Sequence, residues 1–177
     1  MAVLIEGISV IIRVEALLDK FIGGRDAFMH IVPNQTLCMD NEIIRVGFMT
    51  PRDAESFVKR LEDAGLEFIR DGEAIDLAVV DQLQGITSKC IWLEFGHVDI
   101  GGEGQGVSAC HLVGSQLMKV ITPLGWTFEG SLSSTHTFIP TEEIAKSMKF
   151  LRHEKGLDVY LNLVTGKEMY IGRTGTS

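Results

Sequence analysis

The chain has 177 residues, of which 45% are hydrophobic and 23% charged, a composition typical of globular rather than disordered proteins. Its 24 acidic and 16 basic residues give a formal net charge of −8, and no basic cluster occurs, which argues against nucleic acid or an anionic membrane surface as partner. This length suffices for one hydrophobic core, or for two small modules that share an interface.

The first predicted element is a strand from Val3 to Arg13. Glu6 interrupts its apolar run, and no basic segment precedes it, so it is not predicted as a signal peptide. The three cysteines are Cys38, Cys90 and Cys110. Their odd number and wide spacing are typical of free thiols in a reducing compartment. We therefore expect a cytoplasmic protein that does not cross a membrane.

Two short helices are predicted next, over Glu15–Ile22 and Asp26–Val32. Glycines follow the first, and a proline follows the second. Strands are then predicted over Thr36–Met39 and Glu42–Met49, joined by a tight turn.

The best-marked helix begins at Thr50, whose hydroxyl can accept from the Asp53 amide, with Pro51 at the first helical position. Gly65 supplies its stop. A hairpin should follow, because Asp71-Gly72 separates two strand-like runs and favours a turn with positive φ angles. The runs are Leu66–Ile69 and Ala74–Val80.

A second strand-helix-hairpin unit is predicted with Thr141 as cap, a helix to Lys155 and Gly156 as stop. Thr141 precedes Gly156 by fifteen residues, as Thr50 precedes Gly65. This equality indicates an internal duplication, although such units also recur by chance in α+β proteins.

These elements predict an α+β fold with a mixed or antiparallel sheet and helices packed on one face, in two related modules of a ferredoxin-like kind. The predicted modules are residues 1–88 and a strand-rich half, residues 89–177. The boundary falls in residues 82–89, and the two modules are expected to form one compact unit.

Potential metal ligands cluster in the second half, namely Glu94, His97, His111 and His136. On a regular strand, however, Glu94 and His97 point to opposite faces, and the face of His97 suits a core histidine. Cys110 and His111 are adjacent on a predicted strand, so they diverge and cannot act as a nucleophile and its base.

A pocket is the other candidate site. Four residues are predicted to contribute to it, namely Trp92, Glu94, His111 and Trp126. Aromatic residues on strands are also ordinary core residues, which is the alternative for both tryptophans.

The stretch from Arg45 to Ala54, with Ala64-Gly65-Leu66-Glu67-Phe68 after the helix, resembles part of the βαβββ module of the glyoxalase, or vicinal-oxygen-chelate, superfamily. The resemblance implies a glyoxalase-like fold and a divalent metal held by histidine and glutamate on particular strands. The first predicted strand carries Glu6 but no histidine, so those ligands do not map onto it.

Two functions follow as hypotheses. The first is a non-enzymatic protein that binds a small molecule or another protein, including a second copy of itself as a homo-oligomer. The alternative is a metal-assisted lyase, isomerase or dioxygenase of the vicinal-oxygen-chelate kind. The absence of a recognisable catalytic motif favours the first.

Overall fold

A computed structural model of the chain describes residues 1–101, 104–115, 119–134, 148–154, 157–162, 166 and 168–172. Within them the chain is an α+β fold. Its helices are α1 (Val14–Lys20), α2 (Gly24–Ile31) and α3 (Pro51–Asp63). Its strands are β1 (Ala2–Ile5), β2 (Ile8–Arg13), β3 (Cys38–Met39), β4 (Ile43–Phe48), β5 (Ile69–Arg70), β6 (Glu73–Ala74), β7 (Leu77–Asp81), β8 (Gly85–Ile86), β9 (Leu93–Asp99), β10 (Gly106–Leu112), β11 (Val120–Ile121), β12 (Met148–Glu154), β13 (Leu157–Asn162) and β14 (Glu168–Gly172).

The chain divides into two compact units. The larger unit comprises Met1–Val98 and Val107–Trp126, and the smaller comprises Asp99–Gly106 and Thr127–Ser177. The larger unit thus continues beyond residue 88. The segment predicted as a boundary, residues 82–89, contains β8, which pairs with β7.

The larger unit is built on a five-stranded sheet in the order β3-β4-β2-β7-β8, with antiparallel pairing throughout. A second sheet has the order β11-β1-β10-β9, and in it β1 runs antiparallel to β10 but parallel to β11. One sheet is therefore antiparallel and the other is mixed, in agreement with the prediction of a mixed or antiparallel sheet.

The five-stranded sheet is buried on both faces. One face packs against the three helices through alternate strand residues, as predicted, and the helices contribute Leu17, Phe28, Phe57 and Leu61 among others. The opposite face, which includes Ile11, Ile43, Ala78 and Val80, packs against Val3 and Ile5 of β1, Leu93 of β9 and Cys110 of β10.

The predicted strand over Val3–Arg13 is two strands in different sheets. The break lies at Gly7, whose φ of +58° is readily adopted only by glycine and a few other residues. β1 pairs with β10, whereas β2 pairs with β4 and β7. Hydrophobicity alone does not reveal such a change of sheet, because both strands are apolar.

The helix start and the hairpin predicted after β4 are confirmed. The Thr50 hydroxyl accepts from the Asp53 amide at 3.2 Å, and Pro51 is the first residue of α3. Asp71 and Gly72 have φ angles of +52° and +81° and join β5 to β6. Both strands are only two residues long, shorter than the predicted runs.

The second predicted helix is wrong over Met148–Glu154, which form β12, while residues 141–147 lie outside the described residues. β12 pairs with β13, and the Phe150 and Tyr160 rings lie 5.5 Å apart. Leu151, expected on a buried helical stripe, is 37% exposed. A short apolar run fits either period, and the pairing with β13 decides it here.

The smaller unit contains the antiparallel sheet β12-β13-β14. Across it Arg152 donates from both terminal nitrogens to the Glu168 carboxylate, at 3.0 and 2.9 Å. This bidentate pair joins the two outer strands across β13.

Of the described helices, none combines the length and the apolar character that crossing a membrane requires.

A buried arginine lies between the two sheets of the larger unit. Arg45 of β4 is 3% exposed, and it donates to Ser9 Oγ at 2.9 Å, to the Thr36 carbonyl at 3.0 Å and to the Glu6 carbonyl at 2.9 Å. Burial lowers the pKa of this guanidinium, and nearby Cys38 and Glu6 oppose that effect. A Cβ at Gly47 would clash with the guanidinium, so a larger residue there would have to displace the Arg45 side chain from these bonds.

We expect Arg45→Met to lower the free energy of unfolding by about 2–4 kcal/mol, because buried acceptors would lose their donors. Urea denaturation followed by circular dichroism measures this. Arg25→Met removes an exposed arginine from α2 and should change stability by less than about 0.5 kcal/mol. Equal stability of the two variants would contradict the role given to Arg45.

Candidate functional site

Two of the predicted site residues meet across neighbouring strands. Glu94 of β9 and His111 of β10 approach to 3.3 Å between Oε2 and Nε2. The His111 side chain is 16% exposed and that of Glu94 is 53% exposed. This pair belongs to both predicted sets, the pocket and the metal ligands.

The other ring nitrogen of His111 is already engaged. Nδ1 lies 2.9 Å from the Leu112 carbonyl, which can only accept, so Nδ1 carries a proton. Ser115 Oγ lies 3.3 Å from Nδ1 and donates to the same carbonyl at 2.9 Å. Glu94, His111 and Ser115 therefore do not form a nucleophile and base, although their residue types would allow one.

The remaining predicted metal ligands do not join this pair in the described structure. Ser108 Oγ donates to the Gln82 carbonyl at 2.9 Å and lies 3.3 Å from His97 Nδ1. His97, expected as a core histidine, is exposed, and partial desolvation of its ring lowers its pKa. His136 lies outside the described residues. The part of the chain that the structure describes holds no group of three or more potential metal ligands.

The two predicted pocket tryptophans have well-defined local contacts. The Trp92 indole donates to the Ala74 carbonyl at 2.9 Å, and the Arg13 guanidinium lies 5.5 Å from its ring centroid. Trp126 closes a turn, in which its amide donates to the Pro123 carbonyl at 3.1 Å. Trp92 also packs against the core between the sheets.

A groove that the sequence did not indicate lies beside α3 in the larger unit, with a volume of about 510 Å³. We call it the α3 groove. It is lined by Ile8, Pro51, Ala54, Glu55, Val58, Lys59, Glu62, Phe68, Val79, Asp81, Gln84 and Thr87.

The groove follows from the placement of α3 over the sheet. α3 packs over β2 and β4, whereas β7 and β8 continue the sheet beyond them. Ile8 of β2 and Val79 of β7 belong to the helix-facing side and remain only half-buried. Helix α3 therefore forms one wall of the groove, and the five-stranded sheet forms its floor.

The helical wall is apolar at its base and charged at its rim. Ala54 and Val58 are 2% and 6% exposed, while Glu55, Lys59 and Glu62 are exposed. These positions recur every three to four residues, so they lie along one side of the helix.

Among the described residues, three carboxylates and one cation line the groove. The cation, Lys59 Nζ, is 2.7 Å from Asp63 Oδ1, which does not line the groove, and this bond raises the pKa of Lys59. Asp81 at the sheet side is held by the turn after β7, because its Oδ1 accepts from the amides of Leu83 and Gln84 at 2.8 and 3.0 Å. The groove therefore carries excess negative charge.

The environments of the three cysteines disfavour the reactive thiolate form. Burial raises the pKa of Cys38 from its ordinary 9.0 to about 11, despite the opposing effect of Arg45. Burial, with Cys90 nearby, raises the pKa of Cys110 further, and burial also raises that of Cys90. A thiol acts as a nucleophile only as thiolate, so these environments argue against cysteine catalysis.

Comparisons with models of protein families, with curated proteins and with solved structures found no match to this chain.

We expect iodoacetamide at pH 8 to modify Cys90 before Cys38 and Cys110. Raising the pKa of Cys38 to about 11 lowers its thiolate fraction about 100-fold at this pH, and both Cys38 and Cys110 are buried. Mass spectrometry of the peptides gives the order. A urea-unfolded sample, in which all three should react together, is the control, and fast modification of Cys38 in the folded protein would contradict the prediction.

Proposed function

We propose that this protein is a non-enzymatic binding module that takes a small apolar molecule in the α3 groove. The observation that carries the proposal is a groove of about 510 Å³ whose base is built from core residues. Small-molecule sites in proteins have volumes of roughly 300–1,000 Å³ and are mostly apolar with a few polar groups.

The floor of the groove supplies the attraction. Ile8, Phe68 and Val79 are half-buried apolar side chains that pack against the helix-facing core. An apolar ligand that covers them removes their exposed surface from water, and this burial is favourable by roughly 25 cal/mol per Å². The packed core behind them keeps the site formed before a ligand arrives.

The polar groups of the groove suit binding rather than covalent chemistry. Its described lining contains no cysteine, histidine or serine. The Thr87 hydroxyl donates to the Val79 carbonyl at 2.8 Å and is thus committed to the sheet. The remaining polar side chains are three carboxylates, Lys59 and Gln84.

The test is a titration of the protein with 1-octanol, an uncharged apolar probe, followed by amide chemical shifts in NMR. We expect saturable shifts at Val58, Phe68 and Val79, with no response at Val113, which is 52% exposed outside the groove. Shifts spread evenly over the protein, or no saturable shift, would contradict the proposal.

Two variants localise the site. Val79→Asp places a charge on the apolar floor and should weaken octanol binding by at least about tenfold, whereas the same change at exposed Val113 should leave it unchanged. Gln84→Trp fills the groove from its exposed rim without touching the core, and it should also weaken binding. Unchanged binding in a folded Gln84→Trp protein would contradict the site.

A further inference from the structure

We infer that the ligand of the α3 groove is a small amine, in which an aliphatic or aromatic body ends in an ammonium group. The inference rests on the proposed function and specifies its ligand. It is carried by two features of the groove: its floor is apolar, and its rim has more negative than positive side chains.

The two glutamates of the rim are available to a ligand. Glu55 and Glu62 are seven residues apart on α3, which separates them by about 10 Å, two helical turns, along one side. Neither lies within 4 Å of a cation among the residues that the structure describes, and both are exposed. A bound cation would therefore not have to break an existing pair.

Lys59 lies between these glutamates in sequence, and its pKa is raised mainly by Asp63 and to a lesser extent by Glu62. Its ammonium group is bonded to Asp63, one turn further along α3 and outside the groove. An i,i+4 pair of this kind holds the lysine charge beside a carboxylate. The helical wall therefore has two carboxylates and one ammonium group among its described lining residues, and that ammonium group is shared with Asp63.

The opposite wall adds a third carboxylate at a fixed position. Asp81 Oδ1 accepts from two backbone amides, which orients the carboxylate at the end of β7. Ile8, its cross-strand neighbour on β2, is part of the apolar floor. A ligand that lies on the floor therefore has carboxylates on both sides, and an ammonium group is complementary to them.

An anionic amphiphile meets the opposite situation. Its carboxylate or phosphate would face three like charges, and the one cation of the groove is already paired. The same apolar body should therefore bind most tightly as an amine, less tightly as an alcohol and least tightly as an acid.

The experiment compares octylamine, 1-octanol and octanoate by NMR titration of the folded protein at pH 7 and low salt. We expect octylamine to bind about five to ten times more tightly than octanol, since exposed ion pairs contribute modestly, and octanoate to bind most weakly. Raising the salt concentration to 0.5 M should reduce the preference for the amine while octanol binding persists.

Variants assign the preference to the rim. The double variant Glu55→Gln with Glu62→Gln, and separately Asp81→Asn, should reduce the ratio of octylamine affinity to octanol affinity. Glu42→Gln, which neutralises an exposed carboxylate outside the groove, should leave it unchanged.

The outcomes separate the two proposals. If octanol binds at the groove but octylamine binds no more tightly, the amine inference is wrong and the proposed function stands. If none of the three probes binds at the groove, both are wrong. A preference that survives in the folded double variant and in Asp81→Asn would also overturn the inference, because the charge would then act elsewhere.

Discussion

The larger unit depends on the burial of one sheet on both faces. β2 and β4 supply side chains to the helix-facing core with one set of alternate residues and to the inter-sheet core with the other. Such strands are apolar almost throughout, so neither face can tolerate exposure. The requirement places helices on one side and β1 with its neighbours on the other, and the turn at Gly7 makes this possible by passing the chain from one sheet to the next.

Arg45 is one of the charged residues buried in this interior, and its contacts show how its charge is accommodated. Its donors meet Ser9 and two backbone carbonyls, including that of Glu6 next to the Gly7 turn. The guanidinium thus donates to the Glu6 carbonyl, which lies between β1 and β2 where the chain changes sheet. A buried charge is retained at low cost only where such acceptors surround it.

The sequence predicted well the features that depend on interactions between neighbouring residues in the chain. Thr50, Pro51 and the stop at Gly65 located α3 because caps act within one turn, and Asp71-Gly72 located a hairpin for the same reason. The helix prediction failed over Met148–Glu154 because a short apolar run fits either period, and pairing with β13, which follows it directly in the chain, makes it a strand. Glu94 and His111 lie 3.3 Å apart, and a site at this pair stays a prediction. The sequence did not indicate the α3 groove, since the groove depends on the order of strands rather than on unusual residues.

The α3 groove draws its walls from stretches far apart in the chain, from Ile8 through α3 and Phe68 to Thr87. An occupant would therefore join β7 and β8 to α3 as a removable cross-link. The fraction of molecules in which β7 and β8 open locally would fall by a factor of 1 + [L]/Kd, where [L] is the ligand concentration and Kd the dissociation constant. The rate of amide hydrogen exchange in β7 and β8 would then report the ligand concentration, and proteases that attack the opened form would cut the ligand-free protein faster.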